Sequence, residues 1–174
     1  MPRRSFANRR ELEEHHFHPV VLVAVPLCAS FLHAYLPHIW QPLGILDLPL
    51  IVVLYFAISW RNRIAGTLTG TVIGLLQDLP GNGYVGINGL VKALVGYAAA
   101  SIGLKVDVDN TITRALMNFG FCLLQSLLLF ALAHFLLGET DYQARPVHEV
   151  LRAGVNAALA VPVFLLLDRT RMDE

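Results

Sequence analysis

The sequence predicts an all-α integral membrane protein with six transmembrane helices, and three observations lead there. The 174-residue chain is 55% hydrophobic and only 15% charged, where a soluble domain carries roughly a quarter charged residues. Residues 115–138 contain no Asp, Glu, Lys or Arg, which at about 1.5 Å per residue is enough to cross a hydrocarbon core of about 30 Å. Five further apolar runs are separated by short polar connections. The formal net charge is zero, which gives no reason to propose nucleic acid as a partner.

The chain opens with a polar leader, residues 1–18, holding Arg3, Arg4, Arg9 and Arg10. The apolar run after it has no small-residue cleavage site and five more runs follow, so it is not read as a secretory signal. His15, His16 and His18 have the side chains of a metal site. No second ligand cluster backs them, so a solvated juxtamembrane segment is the better reading, and neither metal nor cofactor is expected.

The six-helix domain covers 19–168, with spans at 19–36, 43–60, 64–79, 86–104, 115–137 and 151–167, and a tail at 169–174. Several spans fall short of about 20 residues, which implies local thinning or burial against neighbours. Pro26, Pro49 and Pro162 lie inside spans and are expected to kink them. Trp40, Trp60, Tyr84 and Tyr142 fall at span ends, where aromatic belts form. Cys28 and Cys122 lie in apolar runs and read as small buried hydrophobes.

Orientation follows from the cations. With both termini in the cytoplasm, Arg3, Arg4, Arg9, Arg10, Arg61, Arg63, Lys105, Arg114, Arg169 and Arg171 are inside, and only Arg145 and Arg152 are outside.

Residues 66–103 are the organising stretch. Gly66, Gly70, Gly74 and Asp78 are spaced four apart, as are Asn88, Lys92, Gly96 and Ala100. On helices these are two stripes. Gly66, Gly70, Gly74 and Gly96 are read as packing positions, because glycine lets a neighbouring backbone come close. Asp47, Asp78, Lys92 and Asn88 are expected to form an outer-leaflet polar cluster. By helical rise the three charged residues lie roughly 6, 3 and 9 Å from the outer ends of their spans, within reach of a lysine side chain. A lone charge at a span centre costs on the order of 3 kcal/mol, which falls if Lys92 pairs with Asp78 or Asp47. The plain reading is a helix-locking ion pair; a binding pocket or proton path would use the same residues. His134 and Asn156 fall in the same outer half. Asn118 and Gln125 share a face of the fifth span, with Cys122 between, and are expected to hydrogen-bond across helices. The loop at 138–150, with Glu139, Asp141, Arg145 and Glu149, is the most charged outer connection and a docking surface by position.

No catalytic role is expected. The chain has no Gly-x-Ser-x-Gly, His-Glu-x-x-His or Cys-x-x-Cys pattern, and its glycine-rich connection joins two spans rather than a strand and a helix.

Asp47-Leu48-Pro49-Leu50, Arg61 to Arg63, the run Gly70-x-x-x-Gly74-Leu75-Leu76-Gln77-Asp78, and Gly86, Asn88, Leu90, Ala93 and Val95-Gly96-Tyr97 together carry a resemblance. In these the chain resembles the bacterial rod shape-determining protein MreD, the specific match covering about residues 46–103. The resemblance implies a non-catalytic inner-membrane scaffold of the elongation (rod) complex for lateral peptidoglycan synthesis. Its implied partners are the lipid bilayer and a bitopic MreC-like protein. Through the latter it would meet the polymerase RodA, a class B transpeptidase and, indirectly, the MreB filament. It also implies a fold resembling the S component of energy-coupling factor transporters. The alternative is therefore a substrate-binding subunit for vitamin uptake. S components typically carry Ala-x-x-x-Ala on the first span, whereas Ala24, Ala29 and Ala34 here are spaced by five.

Overall fold

The structure, a computed structural model, describes residues 16–17, 19–80, 85–104, 106, 110–136, 138 and 146–172. Six helices make up the described chain: α1 (Pro19–Ile39), α2 (Leu48–Trp60), α3 (Arg63–Asp78), α4 (Ile87–Gly103), α5 (Thr111–Ala131) and α6 (Pro146–Asp168). A 3-10 turn, Gln41–Ile45, leads into α2, and a π turn, Leu132–Leu136, extends α5. Strand β1 (His16–Phe17) pairs antiparallel with β2 (Arg171–Met172), bringing the two terminal segments together at one end of the bundle.

Four segments are long and apolar enough to cross a membrane: Pro19–Ile39, Gln41–Trp60, Thr111–Phe135 and Pro146–Asp168. Helices α3 and α4, with 16 and 17 residues, are about 24–26 Å long by helical rise. The predicted spans sit on the six helices, with shifted limits. Helix α1 runs past Pro37 to Ile39, α5 starts at Thr111, and α6 starts at Pro146.

Local chemistry sets the helix starts. The Asn62 carboxamide oxygen accepts from the Ile64 and Ala65 N–H groups, and that of Asn110 from Ile112. Each satisfies donors the helix itself cannot. Arg61 turns the chain between α2 and α3 in the left-handed region, at φ 50°. Pro49 does not kink α2 as expected. It stands in the first turn, where a missing N–H costs nothing. Pro26 and Pro162 lie within α1 and α6.

Helix α2 is the core. Every residue from Pro49 to Ser59 is buried, as expected of a helix apolar all round. It packs against α1, α3, α4 and α6. Helices α3 and α4 form the closest pair, and α5 packs on α6. The seam of the first pair is backbone on backbone. A Cβ on Gly66 would lie 2.7 Å from the Gly96 carbonyl oxygen, and one on Gly70, Gly74 or Gly96 would collide with the carbonyl of Lys92, Asn88 or Gly66. Apolar side chains cover the outside of the bundle, among them Phe31 on α1, Leu68 on α3, Leu116 on α5 and Leu166 on α6. Cys28, expected to be buried, is exposed on α1, while Cys122 is buried.

Candidate functional site

The residues expected in the polar cluster make two sets of hydrogen bonds. Asp47 stands directly before α2 and its Oδ1 accepts from the Leu50 N–H at 3.1 Å, the geometry of a helix cap. The same carboxylate receives the Lys92 ammonium of α4 at 3.4 Å and the Arg152 guanidinium of α6 at 2.9 Å. Gln125 of α5 closes the group: its Oε1 accepts from Lys92 at 2.8 Å and its amide donates to Asp47 Oδ2. Asn156 accepts the Asp47 N–H at 2.7 Å and donates to the Ile45 and Arg152 carbonyls. Four helices thus converge on one carboxylate. Neither Asp47 nor Lys92 has any exposed side-chain area.

Asp78 and Asn88, expected beside Lys92, are the second group. The Asp78 carboxylate ends α3 and accepts from Gly86 N–H and Asn88 Nδ2, both at 2.8 Å, and from Gly89 N–H at 3.4 Å. It caps α4 from the neighbouring helix. The donors at the start of α4 need such an acceptor, since Gly86 has no side chain to supply one.

The Asp47 network is charge-balanced and filled. Arg152 also meets Glu149 at 3.6 Å, and Glu149 accepts from the Ser126 hydroxyl. Two acids therefore face two bases. Both Asp47 oxygens are engaged by two or more donors. A carboxylate so occupied ties together the helices that supply its donors.

Beside it, His33 of α1 donates from Nδ1 to the Leu46 carbonyl at 2.8 Å. A carbonyl only accepts, so this nitrogen carries the proton, and Nε2 accepts from the Gln77 amide at 2.9 Å. At the opposite end of the bundle Arg114 of α5 pairs with Asp168 of α6 at 2.5 Å, the Tyr55 hydroxyl donates to Asp168 at 3.2 Å, and Arg114 lies over the Phe164 ring.

Gln125 makes the cross-helix bonds expected of it. Asn118 does not: it is fully buried and neither atom of its carboxamide has a hydrogen-bond partner among the described residues. Sequence alone counts Arg152, at the outer end of the sixth span, with the outer cations and Arg114 with the inner ones. The structure puts both within helices, facing carboxylates. The signal for Arg152 is its spacing of four from Asn156 and three from Glu149, which sets all three toward one side of α6. Tyr84, Lys105, Tyr142, Glu139, Asp141, Arg145, His15 and His18 lie outside the described residues.

An all-helical bundle with four segments long and apolar enough to cross a membrane, tied by an ion pair toward each end, has the build of a polytopic membrane protein. A sequence model for the family described as rod shape-determining protein MreD matches residues 17–170, nearly the whole chain. The chain belongs to the MreD family. No curated protein and no solved structure gives a significant match.

Proposed function

We propose that this chain is a non-catalytic scaffold subunit of the rod elongation complex. It sits in the bacterial inner membrane with both termini in the cytoplasm. The observation that carries the reading is the family match over residues 17–170, which takes in all six helices. The pairing of β1 with β2 supports an even number of crossings, and ten cations against two support a cytoplasmic side for that end. The filled Asp47 network supports a holding role rather than a reactive one.

The direct partner is a bitopic MreC-like protein whose single helix packs against this bundle within the membrane. RodA, a class B transpeptidase and the MreB filament join through it. Apolar faces on α1, α5 and α6 supply the contact area. Co-expression with an MreC-like protein, detergent extraction and pull-down test the reading. Co-purification at fixed stoichiometry is expected. Failure to co-purify, together with tight binding of a vitamin-sized ligand to the isolated protein, would transfer the case to an uptake subunit with an S-component-like fold.

A further inference from the structure

We propose that Asn118 anchors an internal water site in the middle of the bundle. Its carboxamide brings two donors and an acceptor oxygen into a position with no exposure, and all go unmet by the described protein groups. An amide left dry in an apolar interior costs at least as much as a lost hydrogen bond. Such groups are almost always satisfied, by water where protein does not reach.

The register around it brings no polar partner to the carboxamide. Arg114 meets Asp168 and Ser126 meets Glu149 across α5 and α6, so the antiparallel run carries Asn118 between the levels of Ala157 and Phe164. Lys92 meets Gln125 across α4 and α5, which carries Asn118 to the level of Ala99. Ala99, Ala157, Ala160 and Phe164 are all buried apolar side chains with no polar atom to offer. A buried amide among such groups is where an internal water supplies the missing partners.

The neighbours on α5 make the site part of a longer feature. Arg114, Asn118, Cys122 and Gln125 all lie on the buried face of that helix. Arg114 is bound to Asp168 and Gln125 to Lys92 and Asp47. Asn118 and its water lie between these two ion groups, which are separated by about 16 Å of helix by rise per residue.

Proton-detected NMR on the full chain in lipid bilayers tests this. Magnetisation is transferred from water to side-chain amides, with Asn118→Leu, of nearly the same shape, used to assign the signal. A water cross-peak at the Asn118 amide, as strong at high lipid-to-protein ratio as at low, is expected. The Asn118→Leu variant is expected to melt no higher than the parent. Absence of the cross-peak in the parent overturns the site whatever the variant does. A melting midpoint for Asn118→Leu raised by more than about 2–4 °C, the shift that roughly 1 kcal/mol produces in a chain of this size, also overturns it, because a dry amide is the group that gains from removal.

Discussion

Lys92 and Asp47 stand 3.4 Å apart with both side chains sealed from solvent, yet the shortest bond to the lysine comes from the neutral Gln125 oxygen at 2.8 Å. Asp47 is the hub and Lys92 one of its spokes. Loss of the hub leaves Lys92 with no carboxylate and Arg152 with Glu149 at 3.6 Å, whereas loss of Lys92 leaves Asp47 with Arg152 at 2.9 Å.

Asp47→Asn is therefore expected to be more damaging than Lys92→Met. Removing one partner from a buried pair costs about 3–5 kcal/mol when nothing replaces it, and that figure applies to Asp47→Asn. Denaturation in mild detergent, followed by near-ultraviolet circular dichroism, ranks the two variants. An equal loss, or the reverse order, refutes the hub arrangement.

The α3–α4 seam predicts opposite outcomes for one chemical change. Gly70→Ala drives a methyl group into the Lys92 carbonyl and is expected to abolish the monodisperse folded protein in size-exclusion chromatography. Gly120→Ala meets nothing within 4 Å and is expected to be neutral or stabilising by up to about 1 kcal/mol, the helix preference of alanine over glycine. Equal behaviour of the two would mean that the seam is not a backbone contact.

Asp78 is expected to act as a cap rather than a counter-ion. Asp78→Asn keeps an acceptor for Gly86 and Gly89, and its loss should stay within about 0.5–2 kcal/mol, the range of helix caps. Asp78→Leu removes every acceptor and should speed hydrogen exchange at residues 86–89 while leaving exchange around Gln125 unchanged. Faster exchange at Gln125 as well would tie Asp78 to the Lys92 network.

At the other end of the bundle, Tyr55→Phe deletes one hydrogen bond to the Asp168 carboxylate and leaves its pair with Arg114 intact. A loss of about 1.5–3 kcal/mol is expected for a bond to a charged group. Thermal unfolding monitored by tryptophan fluorescence gives the value; no change would show that the hydroxyl is equally served by water.

The six helices and the glycine stripes were legible because apolar run length and four-residue spacing are properties of the chain alone. Contact between two of the charges was legible as well: counting residues from span ends set Asp47 and Lys92 near one level. Direction around the helix axis was not, because neighbours fix it. Asp78 ends α3 and turns to the chain returning into α4, and Asp47 precedes a helix and serves its first donors. Arg152 was hidden by its length of side chain. A cation at a predicted span end is counted with the loops, whereas its stem here reaches inward to a carboxylate. Asn118 reads the same in sequence as Gln125, seven positions on. Gln125 finds Lys92 and Asp47 opposite, and the Asn118 carboxamide meets no hydrogen-bond partner among the described residues.

Chain order turns the buried pair into a sequence of membrane insertion. Asp47 leaves the ribosome 45 residues ahead of Lys92, so the carboxylate is already in place on α2 when the lysine arrives. Helices α3 and α4, too short to cross comfortably by themselves, are joined along their glycines and can enter together as a hairpin. Gln125 and Arg152 follow last. The nascent chain thus delivers the Asp47 carboxylate before the lysine that depends on it, and a circular permutant beginning at α4 would have to integrate that lysine ahead of it.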